Sequence, residues 1–170
     1  MATVLAVVLL LGLSGCGYHT AGQATKLPAD LHTIAIPMFE NHTTSYRVEQ
    51  TLTGAVVREF TSRTNYRIAN RDTSDADATL HGSVLSTYIS PLTYDSTTGR
   101  TSSALVTVNM KVTLTGRDGK VLFENPNYSF RQQYEVSREV SSFFQEESPA
   151  LERLSRDFAR TLVSNILEDY

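Results

Sequence analysis

Leu105-Val106-Thr107-Val108-Asn109-Met110-Lys111-Val112-Thr113-Leu114-Thr115 alternates without a break. Val106, Val108, Met110, Val112 and Leu114 fall on one face, and Thr107, Asn109, Lys111, Thr113 and Thr115 on the other. Successive side chains of a strand point to opposite faces, so the run predicts a sheet strand covered on one side by helices. Gly116-Arg117-Asp118-Gly119 follows as a hairpin turn, with Asp118-Gly119 supplying the positive φ values a tight turn demands. Val121 to Tyr134 returns as a long strand carrying Tyr128, Phe130 and Tyr134, with Asn125-Pro126-Asn127 as a bulge or bend. Upstream, Ala78, Leu80, Val84 and Tyr88 share one face of another strand, where Gly82 marks a bulge or a close backbone approach. Ser90 to Ser102, with Pro91 and Gly99, reads as a loop.

Nearer the N-terminus, Thr33 to Phe39 is a compact β-branched run in which Pro37 ends ladder pairing. Asn41-His42-Thr43-Thr44-Ser45 supplies side chains able to accept hydrogen bonds from the first free amides of a helix. Behind it Val48, Leu52, Ala55, Val56 and Phe60 recur at helical spacing, predicting an amphipathic core helix from about Ser45 to Arg63. Tyr66 to Asn70 is a short strand and Arg71 to Ala76 a polar turn. Ser148-Pro149 reads as a helix start, with Ser at the cap and Pro at the first position. Leu151, Leu154, Phe158, Leu162 and Ile166 then form the buried stripe of a closing helix, flanked by Ala159 and Val163. The order strand, helix, several strands, helix predicts an α+β domain with two helices packed on one face of a mostly antiparallel sheet.

The N-terminal residues carry a different message. Val4 to Leu13 is an apolar run followed by small Ser14 and Gly15, the layout of a secretory signal, and too short to span a bilayer. Ending at Cys16, Leu13-Ser14-Gly15-Cys16 resembles the lipobox of bacterial lipoproteins, whose cysteine thiol takes a diacylglycerol before cleavage. The competing reading is a buried N-terminal strand with an ordinary thiol. No Lys or Arg precedes Lys26, where such signals ordinarily open on a basic residue. The resemblance divides the chain into a signal peptide (residues 1–15), a lipidated tether (16–31) and a single domain (32–170). Two or more acyl chains hold a protein firmly to a bilayer where one does not, and bacterial lipoproteins carry three. Gly17, in place of an Asp, favours the outer membrane under the familiar sorting rule.

Bulk properties limit the chemistry. The roughly 155 residues from Cys16 onward are enough for one domain with its own core. A net charge of −3 argues against a general nucleic-acid binder. Cys16 is the sole cysteine, so an intrachain disulfide and a cysteine metal site are both excluded. His19, His32, His42 and His81 are scattered without ligand spacing, so no metal site is expected. Nucleophile elbows, phosphate-cradling glycine loops and dinucleotide fingerprints are missing, so neither an enzyme nor a cofactor is expected. Asp72, Asp75 and Asp77 read as solvated turn residues, and Glu146 and Glu147 as charges that suit a helix N-terminus. Arg100, Lys111, Arg117, Lys120, Arg131 and Arg138 lie on the β-rich half; Lys111, and with it Arg131, would give the polar sheet face cations. That face reads either as a phosphate-binding surface or as ordinary solubilising charge.

Several segments together resemble one family. Gly15-Cys16-Gly17-Tyr18-His19 is followed by Ile34-Ala35-Ile36-Pro37-Met38-Phe39-Glu40-Asn41-His42-Thr43, then by Glu49-Gln50-Thr51-Leu52-Thr53 and Ala76-Asp77-Ala78-Thr79-Leu80-His81-Gly82. Ser142-Phe143-Phe144, Glu146-Glu147 and Ala150-Leu151 complete the series. This set is similar to the lipopolysaccharide-assembly lipoprotein family, LptE. The resemblance implies two helices against a four- or five-stranded sheet and a non-enzymatic outer-membrane lipoprotein facing the periplasm. It further implies a plug inside the β-barrel LptD that assists barrel assembly and contacts lipopolysaccharide. By approximate position the family's basic lipid-contacting sites fall near Arg100 and Arg138, with Lys111 added from the sheet face. An auxiliary lipoprotein of an ABC-type lipid transport system, or an activator of a periplasmic enzyme, is the alternative.

Overall fold

Residues 27–73, 75–136 and 140–168 are described by a computed structural model, residues 140–148 by their backbone alone. The elements are β1 (Thr33–Ala35), β2 (Glu40–Asn41), α1 (Val48–Arg63), β3 (Arg67–Ala69), β4 (Ala78–Tyr94), β5 (Thr101–Gly116), β6 (Val121–Glu135) and α2 (Val140–Leu167). Val106, Val108, Met110, Val112 and Leu114 of β5 are all buried, as the alternation predicts, and Thr107, Asn109, Lys111, Thr113 and Thr115 between and after them are more exposed. The stripes of both helices join them in one core: Val48, Leu52, Val56 and Phe60 from α1, and Leu154, Phe158, Leu162 and Ile166 from α2.

The sheet is mixed: most of its residue pairing is antiparallel, as expected, but short parallel strands bring it to six strands where four or five were expected. Its six strands run in the order β3-β1-β4-β5-β6, with β2 also beside β4. β4, β5 and β6 form the antiparallel meander, while β1 pairs in parallel with both β3 and β4, and β2 in parallel with β4. The cause is the connection through α1: a helical crossover returns the chain to the direction in which it left.

Three local expectations change. Ser90 to Ser102 is not a loop, because β4 continues to Tyr94 and β5 starts at Thr101. There the Thr93 hydroxyl lies 2.8 Å from Ser102 Oγ and 2.7 Å from Ser103 Oγ, so polar side chains extend the ladder. Second, α2 begins at Val140 and runs through Pro149 instead of starting there. Pro149 is exposed, so the one backbone bond that a proline forfeits can be replaced by water. Third, Asn41 to Ser45 does not cap α1. Arg47, at φ 56°, is the N-cap and makes no side-chain cap bond. The polar cluster folds on itself, with Asn41 Oδ1 accepting from the Thr43 amide and Asn41 Nδ2 donating to Glu49.

Of two bulges in the meander, the sequence marks one and not the other. At Pro126-Asn127 the pairing moves from Met110↔Tyr128 to Val112↔Asn125, placing an irregularity where the Asn125-Pro126-Asn127 triplet predicts one. A second bulge lies between Val84 and Ser86, at Leu85. One extra residue exchanges the two faces of a strand. Tyr88 therefore pairs with outward Thr107 and leaves the face of Ala78, Leu80 and Val84. Gly82 serves the other role expected of it, a close approach: a Cβ there would sit 2.8 Å from the Phe39 ring.

Phe39 in turn meets Phe158 edge-on at 6.4 Å, and Phe158 packs edge-on against Tyr128 at 5.9 Å and Phe130 at 5.2 Å. Gly82→Ala should consequently overpack the Phe39 site and cost about 1–3 kcal/mol in urea unfolding. The cost should shrink in a Phe39→Leu background; equal costs in both backgrounds would place the strain elsewhere.

Candidate functional site

β4 and β5 extend together beyond the short strands that cover the first part of β4. β1 pairs with Ala78 and Thr79, and β2 with Ser83 and Val84. From Leu85 on, among the described residues, β4 has a strand neighbour only on its β5 side. Leu85, Tyr88, Ile89, Leu92 and Tyr94 on this stretch are between 44% and 62% exposed. No charged residue occurs from Gly82 to Tyr94, nor from Thr101 to Met110. The result is a long uncharged hairpin with exposed apolar side chains.

Its tip is a tight turn. The Asp95 amide donates to the Arg100 carbonyl at 2.8 Å, the Gly99 amide to the Asp95 carbonyl at 2.8 Å, and Gly99 takes φ 67°. Asp95 Oδ1 accepts from the Thr97 and Thr98 amides, at 3.0 and 2.8 Å. This fixes the backbone of Arg100 and leaves its side chain exposed, with no acidic partner among the described residues.

Lys111 and Arg131 do share the outward face, since Thr107 opposes Arg131 and Lys111 lies two pleats further along β5. That spacing is about 13 Å at the usual strand rise. Lys111 Nζ is held 3.0 Å from Glu124 Oε1, so its charge is already matched. Arg100 is eleven residues from Lys111 along the hairpin, about 36 Å at the same rise. The structure thus separates these two residues. Arg138 and Cys16 lie outside the described residues, as do residues 1–15 and most of the tether.

Arg117 and Asp77 have structural work instead. Asp77 Oδ2 accepts from the His32 and Thr33 amides at 2.9 and 2.8 Å, and Oδ1 from Arg117 Nη2 at 3.1 Å. Arg117 also donates to the Ala76 and Asp75 carbonyls. Asp77 is therefore a clasp between β1, β4 and the β5–β6 turn, not a solvated turn residue. The isolated sequence could not reveal its partners, which are 40 to 45 residues distant. The shallow depression beside it, about 310 Å³, is lined by Asp30, Asp77 and Asp118 as well as Arg117 and Lys120, so it is no cationic site for a phosphate.

On the outer sheet edge the Ser83 hydroxyl donates to Glu40, and His42 Nε2 lies 3.2 Å from the same carboxylate oxygen. These bonds, the Ser83 one first, hold the Glu40 carboxyl below its usual range. Among the described residues no group of three or more His, Asp or Glu is placed to hold a metal. Within the same residues no helix is long and apolar enough to cross a membrane. Burial raises the Tyr128 hydroxyl, which accepts from Asn165 Nδ2 at 2.9 Å.

The arrangement is a helix-backed sheet with a polar outer face and a long β4–β5 hairpin whose distal β4 side has no strand neighbour among the described residues. Solved structures with this fold include rare lipoprotein B from Shewanella oneidensis, at 15% identity over 77% of this chain and 92% of that one, TM-score 0.53. Lipoprotein B from Nitrosomonas europaea is similar at 12% identity over 86% and 87%, TM-score 0.53. The PelC dodecamer from Paraburkholderia phytofirmans is similar at 12% over 86% and 96%, TM-score 0.51. At these identities the likeness is one of fold. Among curated proteins none matches the sequence. The family model LptE, lipopolysaccharide-assembly, matches residues 31–166, about four-fifths of the chain. The chain belongs to that family, and it is a non-enzymatic lipoprotein of lipopolysaccharide assembly.

The amides of His32 and Thr33, and after them Arg117, hold the Asp77 carboxyl below its usual range. A lowered native value means that the clasp contributes fully above the unfolded titration near pH 4 and is lost as pH falls through the native one. Asp77→Asn should be less resistant to urea than the wild type at pH 7, and the gap should close on acidification. A gap that widens toward acid would contradict this.

Proposed function

We propose that this protein is the lipid-anchored plug of the LptD barrel in the outer membrane. In this reading it sits at the periplasmic face, assists barrel assembly and contacts lipopolysaccharide during delivery to the surface. The observation that carries the reading is the family match, which takes in every described strand and nearly all of both helices. Its physical support is the outer sheet face, where Thr107, Asn109, Thr113 and Thr115 offer hydrogen-bonding groups suited to the polar lumen of a wide barrel. Residues 1–15 are proposed as the signal peptide, 16–31 as the tether with Cys16 lipidated, and 32–170 as the domain.

Arg100 at the hairpin tip is proposed to meet lipid phosphate, together with Arg138. Lys111 contributes less, because Glu124 already neutralises it. Purification of the full-length lipoprotein from its native membrane in mild detergent should recover a large outer-membrane barrel in stoichiometric amount. Recovery of inner-membrane transporter subunits without a barrel would replace this reading with the auxiliary-lipoprotein one.

Charge reversal of Arg100 with Arg138 should weaken lipopolysaccharide binding roughly three- to tenfold while sparing barrel recovery, and Lys111→Ala should have a smaller effect. Equal loss of lipid and barrel binding would count against these assignments. Cys16→Ala should abolish membrane attachment and leave the thermal unfolding of the domain unchanged. A lowered unfolding temperature would place Cys16 in the core.

A further inference from the structure

Among the described residues the two-residue β2, the short β3, β6 and distal β4 each have a side without a strand neighbour, and these edges are not alike. The outer edge of β6 carries Glu124, Arg131 and Glu135 together with the Pro126 bulge. The short edge strand β3 opens on Arg67 and is followed by Arg71. Charges, brevity and bulged prolines are the usual means by which an edge avoids pairing with another chain. The distal edge of β4 is different: it is long, uncharged from Gly82 to Tyr94 and exposes five large apolar side chains.

The register identifies which backbone groups of this edge have no strand partner among the described residues. Val84 directs its carbonyl to the His42 amide of the β2 side, so Val84 and its partner Met110 do not bond each other. In an antiparallel ladder bonded and non-bonded pairs alternate, so Asn109, Thr107 and Leu105 bond their partners Ser86, Tyr88 and Ser90. Thr87 and Ile89 are left aiming their amides and carbonyls at the open edge. Pro91 follows in the same alternation, where a residue without an amide is tolerated, and it ends the pairing segment. The Thr87 hydroxyl, buried on this stretch, also has no hydrogen-bond partner among the described residues.

We propose that β4 from Leu85 to Ser90 is a strand-accepting edge that takes an extended, uncharged segment of the barrel partner by β-augmentation. The proposal rests on the plug reading above. Main-chain bonds to Thr87 and Ile89 supply the attachment, and the apolar side chains on both faces of the edge select the partner's uncharged residues. Charge argues for this occupant: a charged segment would bury its charge against a stretch that offers no counter-charge.

The test uses the full-length lipoprotein co-expressed with its barrel, comparing wild type, Ile89→Pro, Ile89→Lys and the control Gln133→Lys on the β6 edge. Ile89→Pro removes one outward amide, and Ile89→Lys puts a charge on the edge. Circular dichroism checks that each variant is folded, and a photo-crosslinker at residue 89 reports the contact directly. The expected result is crosslinking to the barrel and at least a fivefold loss of barrel recovery in both Ile89 variants, with the control unchanged. Undiminished recovery in folded Ile89→Lys would overturn the augmentation and leave the plug reading standing. No barrel with the wild type would overturn both. Crosslinking of residue 89 to a second copy of the lipoprotein, or to lipid, would overturn the barrel as occupant. Should Ile89→Pro fail to fold, Ile89→Lys and the crosslink decide.

Discussion

Four parts of the chain meet at Phe39. Its ring occupies the space that Gly82 leaves empty over β4, and its edge contact with Phe158 carries that packing into α2. Its amide donates to the Thr53 hydroxyl at 3.0 Å, and that hydroxyl donates to the Glu49 carbonyl at 2.6 Å, so α1 is tied to the same point. Phe39 sits where the chain passes from β1 to β2, and its position sets where β2 meets β4, at Ser83 and Val84. One aromatic side chain thus fixes the height of both helices over the sheet and the place where edge pairing of β4 stops. Close packing makes this an all-or-none fit, because the interior has no spare volume in which the ring could settle differently.

Immediately beyond that point comes the Leu85 bulge, and the consequences follow from the strand period of two. Up to Val84 the even-numbered residues of β4 point into the core; beyond the extra residue, Tyr88 points outward. Beside this stretch β5 stays in the core through Ala104, Val106 and Val108 and remains paired with β6. The two strands therefore differ. β5 keeps a buried face along its length, whereas β4 is core up to Val84 and beyond it carries exposed side chains and a side with no strand neighbour among the described residues.

Much of the domain was legible in sequence because its signals are periodic and local. The alternation of β5, the stripe Val48, Leu52, Val56 and Phe60, and the stripe from Leu154 to Ile166 needed no distant information, and all three are buried as read. The illegible features depend on distant contacts. The parallel pairing of β1 with β3 and β4 is decided by where a crossover lands, and Asp77 acquires its role from residues on other strands. At Leu85 nothing local signals a bulge, since Ser83-Val84-Leu85-Ser86 reads as ordinary strand. Arg100 was legible as a tip cation, whereas the pairing of Lys111 with Glu124 needed the register of β5 on β6.

The composition of the hairpin held a signal that residue-by-residue reading passed over. Thirteen successive residues without a charge, from Gly82 to Tyr94, are unremarkable inside a core, where charge is excluded by its desolvation cost. On an exposed edge the same absence has no such cause. Charge there would cost nothing in folding and would protect against unwanted pairing, as it does on β3 and β6. A stretch kept free of charge where water would accept it is better explained by a surface it must meet than by the fold it belongs to. That is the ground on which the strand-accepting role is proposed for the distal half of β4.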